Sequence, residues 1–176
     1  MANKRAKFFT PRTAGYIKRL TNEYMNRMNQ EVLYYPVNAQ KTDTGDLYSK
    51  HYNESTNKQV DEGILMECNV FIQEKNTENF KDAGYELRTF IDVYFHIYEL
   101  ERKGLVPELG DIVSFQGAFF EIFDTDDHQM LHGDPEYKYG FTINCMDMRV
   151  NDFEEQLETD VQYKYRLRQE AEQQNP

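Results

Sequence analysis

The sequence predicts a mainly β protein of the α+β class: a small β-barrel or sandwich with a long β-hairpin, an N-terminal helix and a C-terminal helical extension. Three observations carry that prediction. Leu87, Thr89, Ile91, Val93, Phe95 and Ile97 alternate with Arg88, Phe90, Asp92, Tyr94, His96 and Tyr98, and a period of two sustained that long is a strand signature. Gly110 to Phe123 then reads as a tight hairpin around Gln116-Gly117, a pair that supplies the positive φ such a turn needs. Helical periodicity lies mainly outside the strands, towards the two ends, which suits a barrel or sandwich with helical extensions. One face of the long strand is wholly apolar and must be buried. The other mixes charge with large aromatics, which suits a wall shared with a partner better than open solvent.

A chain of 176 residues suits one domain with appendages. The divisions are a basic arm and helix over 1–30, a barrel over 31–150 with an extended polar loop at 38–62, and a helical tail over 151–176. With 20 Lys/Arg and 31 Asp/Glu the net charge is −11, and it is unevenly spread. Residues 1–31 hold seven basic and two acidic side chains, +5, which leaves −16 for the rest. A basic arm on an acidic body argues against a general nucleic-acid binder, because the body repels phosphate. The arm is suited to docking on an acidic neighbour, with DNA contact as the alternative. No apolar run approaches the roughly 20 residues that span a bilayer, and no apolar signal region follows the basic N-terminus. Cys68 and Cys145 fall in strand-like stretches, where free thiols act as small hydrophobes in a reducing, cytoplasmic setting. The 13 Tyr and 12 Phe, with no Trp, make aromatics a large part of the core and contact area.

Taken in order, Ile17, Leu20, Tyr24 and Met28 recur at helical spacing after Pro11 and Thr13, predicting an amphipathic helix from 13 to about 30 whose narrow stripe packs on its own domain or on a neighbouring subunit. Val32 to Val37 is extended, and Pro36 restricts it to an edge or a strand end. The polar stretch 38–62 is too long for a connector and is the kind that orders on a partner. Ile64, Met66, Cys68, Val70 and Ile72 alternate in a second strand. Asn76 to Gly84 reads as one or two helical turns, Glu99 to Lys103 as a brief charged connection, and Asp124 to Glu136 as an acidic loop. Tyr137 to Cys145 forms a last strand. Asn151 with Glu154 resembles a capping box, with Phe153, Leu157 and Val161 following at spacings of four.

Candidate chemistry is thin. His128 and His132 sit among Asp124, Asp126, Asp127 and Asp134, but histidines four apart share a face only on a helix. The aspartate spacing does not match a calcium loop either, so this is an acidic surface segment and no metal is predicted. His96 and Asp92 are about 13 Å apart along a strand, too far for a dyad. No nucleophile elbow, phosphate loop or paired-cysteine motif occurs. The sequence therefore predicts neither a catalytic set nor a cofactor. The adjacent Tyr34 and Tyr35 point to opposite faces of an extended chain. That predicts one packed inward and one at the edge, or an interface anchor.

The run Tyr34-Tyr35-Pro36-Val37, a polar loop with Asp46-Leu47-Tyr48, the long strand, and Gly110-Asp111-Ile112-Val113-Ser114-Phe115 leading to Phe119-Phe120-Glu121-Ile122 resembles the neck proteins of contractile-tailed bacteriophages. The resemblance covers residues 31 to 145. It implies a head-completion or head-closure protein of the virion, assembled in the bacterial cytoplasm. Such subunits form a homo-oligomeric ring, commonly of six, between portal and adaptor proteins on one side and tail terminator or tube proteins on the other. Double-stranded DNA passes through without specific binding, and no membrane is involved. On this reading Tyr34, Tyr35, Pro36, Leu47, Tyr48, Tyr94, His96 and Tyr98 are the expected interface residues. Asp124, Asp126, Asp127 and Asp134 are the expected acidic lumen or loop. The alternatives are another tail ring protein, such as a terminator, or a nucleic-acid-contacting barrel. The barrel alternative needs basic residues beside its stacking aromatics, and Asp111 to Asp127 contains none.

Overall fold

The strands wind into a closed barrel in the order β1-β2-β5-β8-β7-β6, with every neighbouring pair antiparallel. In chain order the elements are α1 (Pro11–Met28), β1 (Gln30–Tyr35), β2 (Ile64–Ile72), β3 (Asn76–Phe80), β4 (Gly84–Arg88), β5 (Phe90–His96), α2 (Ile97–Lys103), β6 (Ile112–Phe115), β7 (Ala118–Met130), β8 (Lys138–Asp147) and α3 (Asp160–Gln174). This computed structural model describes residues 10–28, 30–38, 59–73, 76–80, 84–130, 138–148 and 157–174. A small barrel with helices before and after it is the fold class the alternation predicts.

Alternation places Val32 and Tyr34, Met66 and Cys68, Ile91, Val93 and Phe95, Val113, Phe120 and Ile122, and Ile143 and Cys145 in one buried cluster. Closure pairs every barrel strand on both sides along part of its length, which limits the exposed backbone groups that invite aggregation. Cys68 and Cys145 are free and buried, and burial pushes both thiols well above their ordinary pKa. They therefore act as apolar filling. A second cluster, with Leu33, Tyr35, Ile112, Phe119 and Leu157, packs Leu65, Met148 and Tyr163 on the opposite side of β1 and β6. The β1–β6 wall is thus buried on both faces.

Several predicted elements differ in the structure. The long strand from Leu87 to Tyr98 is broken at Thr89, and its end, from Ile97, is helical. His96 causes the switch: its Nδ1 accepts the Tyr98 N–H at 3.2 Å and caps α2. Gly104, in the left-handed region at φ 66, closes that helix. The charged stretch 99–103 is therefore helix and not connection. Asn76 to Gly84 is not helical either. Its described residues, Asn76–Phe80 and Gly84, form β3 and the start of β4, in register Thr77↔Leu87, Asn79↔Tyr85 and Phe80↔Gly84. Cross-strand pairing satisfies backbone groups that a helix of one or two turns leaves orphaned. The segment expected as an acidic loop from Asp124 is strand as far as Met130, its register against β8 shifted by irregularities between Ile122 and Asp124 and between Asp126 and Gln129.

α1 also turns a different face inward. Ala14 and Met25 are buried and Ile17 and Thr21 half-buried, whereas Leu20, Tyr24 and Met28 of the predicted stripe are 54%, 55% and 43% exposed. Small Ala14 and Thr21 let the helix lie close to the barrel, where it touches β2 and β5. At the far end α3 begins at Asp160. Residues 151–156, with the expected Asn151–Glu154 cap, lie outside the described residues. Thr159 and Gln162 make the capping box instead: the Thr159 N–H reaches Gln162 Oε1 at 2.9 Å, and the Gln162 N–H reaches Thr159 Oγ1 at 3.2 Å. Leu157 precedes the helix as a buried plug.

Candidate assembly surfaces

Two stretches far apart in sequence meet at the seam where β1 closes against β6. Asp111 is 4% exposed. One of its oxygens accepts the Val37 N–H at 2.7 Å. The other accepts the Glu108 N–H at 3.0 Å and the Tyr34 hydroxyl. Burial pushes the Asp111 carboxyl above the usual range, and its hydrogen bonds from Tyr34, Val37 and Glu108 pull it back. Burial, reinforced by the Asp111 charge, pushes the Tyr34 hydroxyl far up, so it stays a donor. Tyr34-Tyr35-Pro36-Val37 and Gly110-Asp111 are thereby one unit.

Both tyrosines are buried, Tyr34 at 1% and Tyr35 at 4% exposure. This corrects the expectation that only one packs inward: the barrel takes Tyr34, and the outer cluster takes Tyr35. The Tyr35 hydroxyl donates to the Glu158 carbonyl, and burial pushes its pKa up to about 12. Neither ring is left free to anchor a partner. Pro36 is half-buried, and its carbonyl accepts the Asp61 N–H at 2.9 Å. With Asn38 N–H to Gln59 O at 2.8 Å, this ties together the two ends of the polar loop. Leu47 and Tyr48 lie outside the described residues.

Sequence reasoning missed Asp160. It is 4% exposed and joins α3 to the β6–β7 turn. Its carboxylate accepts from Gly117 N–H at 2.8 Å, Gln116 N–H at 3.2 Å and Ser114 Oγ at 3.2 Å, while its own N–H donates to Ser114 Oγ at 3.0 Å. The turn needs that grip, because Gln116 sits at φ 52 beside Gly117 at φ 85. A β-carbon makes the left-handed region costly for Gln116. The Thr159–Gln162 spacing was a visible cap signal, but no local pattern shows that the residue between them serves a turn more than forty positions earlier.

Of the remaining expected interface residues, Tyr98 is 38% exposed and Tyr94 half-buried, with its ring over Gly140, where a β-carbon would collide with it. His96 is 1% exposed: it lies on the same side of β5 as Asp92 and Tyr94 but is covered. The helix α1 covers that end of β5, and the ring of Tyr98 lies 4.9 Å from that of His96. Burial lowers the His96 pKa below its ordinary value, and the Lys18 backbone opposes that shift. The unfolded chain therefore takes up the proton first as pH falls below about 6.5, and the stabilisation from neutral His96 is present above that pH and lost below it. Denaturant melts from neutral to about pH 5 should show stability falling as pH falls through this one group. His96→Asn keeps a capping acceptor without the titration, so its slope should be shallower. Equal slopes refute the assignment.

The outer surface of β5, β8 and β7 is acidic and aromatic. Register aligns Phe71, Asp92, Asn144 and Asp124 in one row across four strands. Phe71 is 57% and Phe123 49% exposed, and Phe123 meets Phe90 edge-on at 5.8 Å. Asp124 and Asp126 are exposed on β7. The side chains of Asp127 and His128, together with His132 and Asp134, lie outside the described residues. Among the described residues no group of three or more His, Cys, Asp or Glu is placed to hold a metal, and no helix is long and apolar enough to cross a membrane.

No protein-family model matches the chain, and no curated protein does. Among solved structures it is similar to a chain described as "Virion of native gene transfer agent (GTA) particle". The identity is 10%, the match covers 68% of this chain and 94% of that one, and the TM-score is 0.39. A superposition that loose carries no argument about function.

Proposed function

We propose that this chain is a structural virion protein of the phage neck: a head-closure subunit whose ring joins the portal and adaptor to the tail and surrounds the exit path of the DNA. The observation that carries the reading is the seam. The two segments on which the resemblance rests, Tyr34 to Val37 and Gly110-Asp111, are bonded into one unit through Asp111. The rest of the architecture suits the role. A closed, side-chain-filled barrel is a rigid wedge, and α1 presents Tyr16, Leu20 and Tyr24 outward as an aromatic contact surface. A body of −16 over residues 32 to 176 suits a channel through which DNA must slide, since carboxylates repel phosphate. Tyr98 and Pro36, with Leu47 and Tyr48, remain the proposed contacts of the barrel with its neighbours.

The test is particle mass. Sedimentation of the purified protein, alone and mixed with a portal or tail preparation, should give a closed multiple of 21.0 kDa or co-sedimentation. A strict monomer that joins neither sinks the proposal. Tight, salt-sensitive retention of DNA on a filter would favour the nucleic-acid-contacting barrel instead.

A further inference from the structure

Among the described residues, nothing packs against the outward face of α1. Its apolar line is Tyr16, Leu20 and Tyr24, at 67%, 54% and 55% exposure. Spaced four apart, these residues stack along one side of the helix. Arg12, Arg19 and Arg27 lie on the same exposed side, with Glu23 the one carboxylate among them. Tyrosine and arginine flanking an aliphatic centre is the composition of an interface core and not of a solvated helix.

The same chain carries the complementary surface. The outer face of β2, β5, β8 and β7 holds Phe71, Asp92, Asn144 and Asp124 in one row, with Phe123 and Asp126 alongside. One surface is aromatic and cationic, the other aromatic and anionic. They occupy different parts of the subunit, so one copy can present both at once.

We propose that α1 of one copy docks on the outer β5–β8–β7 face of the next, with Tyr16, Leu20 and Tyr24 against Phe71 and Phe123, and Arg19 and Arg27 against Asp92 and Asp124. The contact is head-to-tail. Repeated with a closing rotation it yields a ring, and without closure a filament. It rests on the reading of the chain as a self-assembling ring subunit, and it places Asp124 and Asp126 in the subunit joint and not in the channel wall. The occupant is a second copy and not nucleic acid, because an acidic body brought beside DNA repels it while a neighbour's acidic face attracts the same arginines.

Charge swapping tests this. R19E/R27E and D124K/D126K should each drive the protein towards the 21.0 kDa single chain in sedimentation. Each should raise the concentration for half-assembly on the order of tenfold or more, the size expected for losing well-placed interfacial charge pairs. All four residues are exposed, and Asp124 gives up only surface bonds from Asn144 and the Thr125 N–H, so each variant should stay folded, with a melting temperature measured beside its mass. Mixing the two variants one to one should restore the assembly, because each reversed helix then meets a reversed face. If the wild type assembles and the variants assemble equally well, this interface is wrong and the ring reading stands. If the variants fail separately and mixing rescues nothing, the two surfaces do not meet. If the wild type stays monomeric alone and with portal or tail preparations, both readings fall. If R19E/R27E loses DNA retention while its mass is unchanged, the helix is a nucleic-acid arm.

Discussion

Replacing Asp111 with Ala is expected to destabilise the barrel by on the order of 4 kcal/mol. The substitution removes a single acceptor group and leaves the Tyr34 hydroxyl and the Val37 and Glu108 N–H groups without it. Tyr34 is 1% exposed, so water cannot replace the lost bond without opening the seam, and a buried donor without an acceptor bears its full desolvation cost. Urea unfolding followed by circular dichroism measures the loss as a shift in midpoint at constant slope. Tyr34→Phe is the milder control. It removes one donor and leaves the carboxylate two N–H partners, so about 1 kcal/mol is expected. A loss below about 1 kcal/mol for Asp111→Ala would falsify the assignment of the seam to this residue.

Asp160→Ala should cost roughly 2–4 kcal/mol and loosen a specific part of the molecule. The carboxylate accepts from both turn amides, Gln116 and Gly117, and from Ser114 Oγ. Without it the left-handed Gln116 loses the bonds that hold it there, and α3 loses its link to β6 and β7. Hydrogen exchange should rise first in the β6–β7 turn and in α3, while amides of β5 and β8 remain protected. Uniform acceleration across the barrel, or none, contradicts the picture. Asp160→Asn retains one carbonyl oxygen and should lie between the two.

Strand alternation made the barrel legible, because burial of one face imposes a period of two wherever the interior is apolar. Ile91, Val93 and Phe95, and Val113 with Phe115, lie inside as their spacing requires. The errors arose where local pattern met a decision made elsewhere. His96 continues the alternation perfectly, yet its imidazole caps a helix, and no count of apolar positions distinguishes the two. Asn76 to Phe80 has helix-like punctuation, yet its partner strand starts only four residues later and pairing prevailed. On α1 the more hydrophobic stripe, Leu20 with Tyr24 and Met28, remains outside, since the contact with β2 and β5 selected the smaller face at Ala14 and Thr21. Asp111 was singled out as part of a motif, but its role required the third dimension, as three partners from two segments converge on it.

The wall buried on both faces also constrains how the chain can be made. β1 pairs with β6 as Leu33↔Ser114 and Tyr34↔Val113, so one side of Val32-Leu33-Tyr34-Tyr35 waits unpaired until residues 112–115 have left the ribosome. Its outer side waits longer, for Leu157 and Tyr163. For that interval four consecutive apolar and aromatic residues form an open edge, the kind of segment that recruits other nascent chains. Yield at high expression temperature should therefore be limited by translation and not by the stability of the finished barrel.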